Sequence, residues 1–224
     1  TFVSAVVVRA RSTIAPLGAF LNSGINDFSS ADIHVVGACE GHADVHSNNA
    51  RNFIAPHMCG SAFVLRNFTI FDTFTFYDVR SGLVVVDDVK ARWIEFRGFV
   101  EASDVVFSGV AIGDMLYMAG PSVDNSTVTI VHSTLVFAIL SSVFSFSELS
   151  FINVSMYVWT PYRTTTALYA SKSFAHSVVR FISTAIVNNG PSSSEIFRAI
   201  NLDSATFTNG SILEFFNCTV ASKD

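Results

Sequence analysis

The chain repeats a short pattern in which apolar residues alternate with residues of mixed polarity. In each copy a central apolar residue has a second apolar residue two positions before it, and the residue between them varies. Alternation with a period of two is typical of a β-strand that buries one of its faces. The centres of the clearest copies are Leu65, Phe107, Ile130, Phe151, Phe181 and Phe215.

A backbone corner is predicted after each of these strands. Glycine and asparagine, which tolerate a positive φ better than other residues, recur two positions after the centre. Another apolar residue follows three positions later, so a second short buried strand is expected after the corner. The predicted corner residues are Asn67, Gly109, His132, Asn153, Ser183 and Asn217.

The spacing of the copies predicts the architecture. With a weaker copy centred on Val86, and Asp88 at its corner, the centres lie about 21–23 residues apart, and the last two intervals are longer by about ten residues. Short strands at this period, without a helical pattern, predict an all-β fold: a right-handed parallel β-helix, or solenoid, with longer loop excursions. The segment around Phe96 falls between two centres and is interpreted as another side of the same coil. A β-sandwich with chance similarity between its strands is the alternative.

Length and composition predict one domain with a weakly charged surface. The chain has 224 residues, is 50% hydrophobic and 14% charged, and has a formal net charge of -5. We expect residues 1–224 to form a single β-helix domain, as part of a longer solenoid, with a loop excursion at residues 38–62. Because no cluster of lysine and arginine is present to neutralise phosphates, no nucleic-acid partner is expected.

Cysteine and histidine residues are concentrated between Cys39 and Cys59. We expect a disulfide between these two cysteines that closes the loop excursion, with free thiols or a metal site as the alternatives. The spacings match no standard zinc motif, so we expect no metal, and we expect no cofactor. Cys218 is left over and is expected to be a small buried residue. The residues that a metal site would use are Cys39, His42, His46, His57 and Cys59.

Five Asn-x-Ser/Thr sequons predict N-linked glycosylation if the chain is secreted. Asn125 and Asn209 lie in predicted loops and are the better acceptors. Asn67, Asn153 and Asn217 lie at predicted corners, where the side chain either accepts a glycan or turns inward to bond the next coil.

The acidic residues do not form a recognisable catalytic set. Asp87 and Asp88 are adjacent, but glycoside hydrolysis needs two carboxylates at a fixed separation, and lyase chemistry needs a base, often with calcium ligands. We therefore expect no enzymatic activity. The residues one interval away at the same positions are Arg66, Asn67, Ser108 and Gly109.

Residues 125–147 contain no Asp, Glu, Lys or Arg and are long enough to cross a bilayer as a helix. However, they are rich in serine and threonine, include His132 and contain one copy of the strand pattern, which favours strands over a membrane span. Residues 1–20 show no secretory signal peptide and begin without Met, so we interpret the chain as a mature or excised piece.

Phrases such as FFNCTV, LSFINVSM and VRFISTAIVNN, separated by Ser-rich strands, make the chain from about Ile33 onward similar to the dispersed gene family of large trypanosome surface proteins. The resemblance implies a glycosylated, membrane-anchored surface protein with a role in adhesion. Its partners would be host-cell or matrix glycans or proteins, and its anchor would lie outside this stretch. No functional residue is transferred by the resemblance.

Three functional classes follow from these observations. The first is an extracellular or cell-surface β-helix that binds or displays and is not an enzyme. The second is a polysaccharide-active β-helix enzyme, either a lyase or a glycoside hydrolase. The third is a membrane β protein, which would show an outward apolar band at every strand.

Overall fold

The computed structural model describes residues 5–10, 32–37, 42–55, 57–60, 62–158, 166–188, 198–202 and 204–222. Within these ranges the chain forms strands and turns and no helix, which confirms the all-β prediction. The strands are β1 (Ala5–Ala10), β2 (Asp32–Gly37), β3 (His42–Ala50), β4 (Asn52–Ile54), β5 (Met58–Cys59), β6 (Ala62–Phe76), β7 (Val79–Arg80), β8 (Leu83–Phe96), β9 (Val100–Glu101), β10 (Asp104–Ser108), β11 (Ala111–Met118), β12 (Ser122–Asp124), β13 (Thr127–Val131), β14 (Thr134–Leu140), β15 (Val143–Ser145), β16 (Glu148–Ile152), β17 (Ser155–Val158), β18 (Thr166–Ala170), β19 (Ser173–Ala175), β20 (Val178–Ile182), β21 (Ala185–Asn188), β22 (Arg198–Asn201), β23 (Thr206–Thr208), β24 (Ile212–Phe216) and β25 (Thr219–Ser222).

The described strands pair in parallel throughout and form two sheets. The larger sheet has 18 strands and the smaller has 7. In the smaller sheet the strands lie in chain order, β5, β7, β9, β12, β15, β19 and β23, so each strand pairs with those one repeat before and after it. This pairing excludes an antiparallel β-sandwich for the described residues.

The predicted register between strand copies is confirmed. Val86 pairs with Leu65 on one side and with Phe107 on the other. Phe151 pairs with Ile130 and Phe181 in the same way. Residues one sequence interval apart are therefore direct neighbours in the sheet, as the spacing of the copies indicated.

The predicted corners are also confirmed, because every predicted corner residue has a positive φ. The positive φ is uncommon for residues other than glycine and is best tolerated by asparagine and aspartate. The values are 47° for Asn67, 50° for Asp88, 61° for Gly109, 50° for His132, 51° for Asn153, 50° for Ser183 and 52° for Asn217.

A second set of left-handed corners follows the strands of the smaller sheet. Each of these residues comes directly after β5, β7, β9, β12, β15, β19 or β23, and each has a positive φ. We call these residues the second corner column. They are Gly60, Ser81, Ala102, Asn125, Phe146, His176 and Asn209.

The core is built from ladders of apolar side chains that run across the strands. Phe151 and Phe181 are fully buried, and their rings stack with centroids 4.8 Å apart. Phe107 is buried in the same ladder, separated from Phe151 by Ile130. A parallel ladder in the smaller sheet stacks Phe144 on Phe174 with centroids 4.8 Å apart. These ladders place the abundant phenylalanine of the chain in the interior.

The prediction that Phe215 is buried is wrong. Its ring stacks on Phe181 at 5.0 Å, but the residue is 50% exposed. Phe215 lies in β24, which pairs with β20 and with no other described strand. The place of Phe215 in the ladder therefore determines that its ring stacks on Phe181. To be buried, the ring would also need a strand on the other side of β24.

The loop excursion expected at residues 38–62 is largely strand. Residues His42–Ala50 form β3 and pair with β6, with Val45 opposite Leu65. This region is one more copy of the repeat, and its polar sequence hid the pattern. Residues 125–147, considered above as a membrane span, form β13, β14 and β15. Among the described residues, no helix has the length and apolar character needed to cross a bilayer.

The longer intervals add most of their residues at one place in the repeat. Serines at equivalent positions of successive repeats are separated by 21, 30 and 34 residues at the steps ending at Ser147, Ser177 and Ser211. Strand β14 pairs with both β17 and β18, so the additional residues of the first longer interval lie between these two strands. In the next repeat most of them lie between β21 and β22, and Gly210 is a further addition between the corner residue Asn209 and Ser211.

Candidate functional site

The second corner column is held from inside by a ladder of serines, all of them buried except the half-buried Ser211. The backbone N–H of each ladder residue donates to the Oγ of the serine in the next repeat, at 3.1 Å from Gly82 to Ser103 and 3.1 Å from Ser103 to Ser126. The same bond continues at 3.2, 3.2 and 3.1 Å along Ser126, Ser147, Ser177 and Ser211. Ser103, Ser126, Ser147 and Ser177 immediately follow a corner residue, and Ser211 follows Asn209 and Gly210, so the ladder holds the backbone at the corners.

In this arrangement the serine hydroxyl both accepts and donates a hydrogen bond. The Oγ of Ser147, for example, accepts from the N–H of Ser126 and donates to the carbonyl oxygen of Ser145 at 2.7 Å. Ser147 is almost completely buried. Because a buried polar group without a partner is costly, this ladder rigidly defines the backbone behind the corners.

Two aromatic rings stand on the outer side of the second corner column. Phe146 is 63% exposed, and its ring stacks on that of the exposed His176 with centroids 4.7 Å apart and an angle of 6° between the ring planes. The spacing is that of neighbouring strands, which brings the two corner residues side by side. We call Phe146 and His176 the corner ring pair.

A shallow depression lies beside the corner ring pair. Its volume is about 310 Å³, and Asn125, Phe146, Glu148 and His176 are among the residues that line it. The depression therefore combines an exposed aromatic surface with an amide and a carboxylate. Such a combination can bind a polar ligand that also has an apolar face.

A charged ladder runs next to the depression along β16, β20 and β24. The Arg180 guanidinium lies 2.6 Å from the Glu148 carboxylate and 2.7 Å from that of Glu214. Burial opposes the charged form of Glu148, but hydrogen bonds from Ser150 and Arg180 outweigh it, so the pKa of Glu148 lies below its ordinary value. The hydrogen bonds to Glu214 and Glu148 in turn raise the pKa of Arg180.

All five sequon asparagines are exposed and lie at left-handed corners. Asn67, Asn153 and Asn217 belong to the first set of corners, and Asn125 and Asn209 to the second corner column. Asn217 donates a hydrogen bond to Ser183 of the neighbouring repeat at 3.4 Å, so its side chain makes a bond between repeats although the residue is exposed. Glycosylation at the five positions remains a prediction.

The structure places Asp87 and Asp88 apart from any second carboxylate of the same register. Asp87 is half-buried and pairs with Arg66 and Ser108, the neighbours expected from the sequence. Asp88 is exposed and has a φ of 50°. The residues that pair with Asp87 therefore supply no second carboxylate.

The predicted disulfide and the alternative metal site fall mostly outside the described side chains. Cys39 lies outside the described residues, and so do the side chains of His42 and His46. His57 stacks on Tyr77 with centroids 5.4 Å apart. No group of three or more metal-binding side chains is found in the part of the chain that the structure describes. The pairing of Cys39 with Cys59 stays a prediction, which peptide mass spectrometry before and after reduction would test.

Cys218 is half-buried where full burial was expected. It is a free cysteine that packs against the core, and its thiol donates to the carbonyl oxygen of Phe181 at 3.2 Å. The reason is the same as for Phe215, because both residues belong to the repeat that has a described neighbour on one side.

No family model, curated protein or solved structure matches the chain.

The sequence did not reveal the corner ring pair. Phe146 has no preference for a left-handed backbone, and one histidine at position 176 is only a weak corner signal. The signal that could have found them was the serine one position later, which recurs at Ser103, Ser126, Ser147 and Ser177.

Proposed function

We propose that this chain forms a right-handed parallel β-helix that serves outside the cell, in secreted or surface-attached form, as a non-enzymatic module for binding or display. The observation that carries this proposal is the placement of all five sequon asparagines, exposed, at the corners of a stacked parallel repeat. Asparagine-linked glycans need exposed acceptor sites in a secreted chain. Host-cell or matrix glycans or proteins are the proposed partners.

The residue-by-residue pairing supports the β-helical part of the proposal. Equivalent residues of successive repeats are neighbours in both sheets, and the same two corners recur in each repeat. In a parallel β-helix each turn of the chain stacks on the previous one and buries its inner side chains against it. The resemblance to the trypanosome surface family belongs to this proposal and is tested with it.

Removal of one repeat tests the β-helical architecture. Thr127 pairs with Glu148, so deletion of residues 127–147 joins equivalent positions and leaves the outer repeats in register. A β-helix is expected to stay folded and to become shorter along its axis by about 4.8 Å, measured by small-angle X-ray scattering of the two proteins. Loss of the folded state after this deletion would contradict the architecture, provided that the full chain folds in the same conditions.

Expression through a eukaryotic secretory pathway tests the functional proposal. We expect export, glycopeptides at the sequons in mass spectrometry, and saturable binding of the purified glycoprotein to immobilised matrix components or cells. The same protein made in bacteria is the unglycosylated control. Failure to enter the secretory pathway, or turnover of a polysaccharide that disappears in Asp87→Ala or Asp88→Ala, would overturn the proposal.

A further inference from the structure

The corner ring pair is unusual in its exposure. Phe146 shares the left-handed backbone of the whole second corner column, with a φ of 50°, and is the bulkiest residue in that column, but it leaves most of its side chain in water. An exposed aromatic ring that the backbone holds in place in this way calls for a partner that covers it.

Sequon asparagines flank the corner ring pair on both sides. The N–H of Asn125 bonds the carbonyl oxygen of Ser145 at 2.9 Å, so Asn125 lies beside Phe146. The N–H of His176 bonds the carbonyl oxygen of Thr208 at 3.4 Å, so Asn209 lies beside His176. The order across the second corner column is Asn125, Phe146, His176 and Asn209.

The two rings cover each other's inner faces and leave their outer faces to the asparagines. Each outer face has as its neighbour in the column an asparagine, whose side chain is shorter than a ring. The depression of about 310 Å³ runs beside the column, and Asn125, Phe146 and His176 all contribute to its lining. A pyranose ring attached to the amide nitrogen of the asparagine would lie beyond the amide, next to the aromatic face. The C–H groups of a pyranose face are weakly positive and the face of an aromatic ring is negative, so the two surfaces attract.

We propose that Asn125 and Asn209 carry N-linked glycans whose first N-acetylglucosamine rings pack on the outer faces of Phe146 and His176. The proposal rests on the secreted, glycosylated state proposed above. The result is a stack of four rings, sugar, phenyl, imidazole and sugar, that continues the spacing of the strands beneath it. In the covalent step the asparagine amide nitrogen bonds C1 of a sugar supplied by a lipid-linked pyrophosphate oligosaccharide. The bond between C1 and the pyrophosphate oxygen breaks, and the nitrogen loses one proton.

The first set of corners provides a matched control. Asn217 is an exposed sequon asparagine with the same left-handed backbone, but its neighbour across the strands is Ser183, which has no ring. A glycan on Asn217 has no aromatic face to cover. Phe71 is the control for the aromatic residue, because it is 54% exposed and lies outside the second corner column.

The experiment compares glycosylated protein from secretory cells, trimmed to a single N-acetylglucosamine per site, with the unglycosylated protein. We expect nuclear Overhauser contacts between the sugar on Asn125 and the ring of Phe146. We also expect Asn125→Gln to lower the Tm of the glycosylated protein by about 2–4 °C more than that of the unglycosylated protein, in which the substitution only removes asparagine from a left-handed corner. In a Phe146→Ala background this glycan-dependent difference should vanish, whereas a Phe71→Ala background should retain it.

The outcomes separate this inference from the proposed function. Absence of glycan at all five sequons contradicts the proposed function itself. Glycans at other sequons but not at Asn125 and Asn209 overturn only the present inference. Occupied sites without sugar–ring contacts, or equal effects of Asn125→Gln in the Phe146→Ala and Phe71→Ala backgrounds, overturn it as well. Equal effects of Asn125→Gln and Asn217→Gln on Tm would assign the stabilisation to glycosylation in general.

Discussion

Residues 62–158, the middle repeats, and residues 198–202 with 204–222, the last repeat, follow the same sequence pattern but bury very different surfaces. Phe151 and Phe215 both stack on Phe181, on opposite sides, at 4.8 and 5.0 Å. Phe151 is completely buried, whereas Phe215 is 50% exposed. The difference shows that a side chain in this protein is buried by the repeats on either side of it and not by its own repeat.

The largest expected effect is therefore a contrast between two identical substitutions in one ladder. Phe151→Ala should lower the free energy of unfolding by about 3–5 kcal/mol, as deletions of large core side chains do. Phe215→Ala should cost less than about 1 kcal/mol, because half of its ring is already in water. Urea denaturation of the two variants measures both values, and equal costs would contradict the role given to the neighbouring repeats.

The serine ladder should show the same contrast on a smaller scale. Ser147→Ala removes the acceptor of the buried Ser126 N–H, so we expect a cost of about 1–3 kcal/mol. Ser211→Ala removes the acceptor of the Ser177 N–H, but Ser211 is only half-buried. Water can replace the lost partner there, and we expect less than about 1 kcal/mol. Replacement by cysteine or threonine would be a poor control, because both change the packed volume.

Replacing glycine at a left-handed corner should cost the same free energy of unfolding in both regions. This cost comes from the backbone conformation of the corner and not from the neighbouring repeats. Gly109 in the middle repeats and Gly210 in the last repeat both have a positive φ, 61° and 74°. A Cβ at Gly109 would come no closer than 3.7 Å to its neighbours, and a Cβ at Gly210 would meet nothing within 4 Å. Gly109→Ala and Gly210→Ala should therefore each cost about 1 kcal/mol. A much larger cost at Gly109 would mean that packing, and not backbone conformation, selects glycine.

The smallest expected effect concerns the ion pairs of Arg180, which contacts Glu148 in the middle repeats and Glu214 in the last repeat. The pKa of Glu148 lies below its ordinary value of 4.5, so this carboxylate stabilises the protein above that pH. Its contribution should be lost as the pH falls through the lowered pKa of the folded protein. Because both partners are partly exposed, we expect less than about 1 kcal/mol. Glu148→Gln should flatten the acid side of the stability profile, and the more exposed Glu214 should matter less when replaced by glutamine.

Sequence periodicity predicted the parts of the fold that depend on side-chain alternation and corner residues. The register of Val86 with Leu65 and Phe107 follows from spacing alone, because a shift by one residue would move every apolar side chain to the other face. The corner at Gly109 follows from its residue type. Strand alternation and corner residue types are local properties of the chain, so they can be predicted from one sequence.

The second corner column could not be predicted in the same way. Ala102 and Phe146 adopt a positive φ that their side chains do not favour, and the serine ladder holds the backbone at these corners. Strand β3 was missed because polar residues hide its alternation. The exposure of Phe215 depends on which strands lie beside β24, which no pattern within the repeat describes. The corner conformations depend on hydrogen bonds between repeats, and the exposure of Phe215 depends on which strands lie beside its own.

The place where the longer intervals add their residues has an evolutionary consequence. Strands β17 and β18 keep their pairing with β14 although seven residues, 159–165, stand between them in the sequence. Strands β21 and β22 likewise keep pairing with β17 and β18 around residues 189–197. Mutation can therefore lengthen or rewrite the sequence at this one position without disturbing the ladders. A foreign epitope inserted between Val158 and Thr166 would use the same freedom, which makes this position the natural graft point for engineering the chain as a carrier.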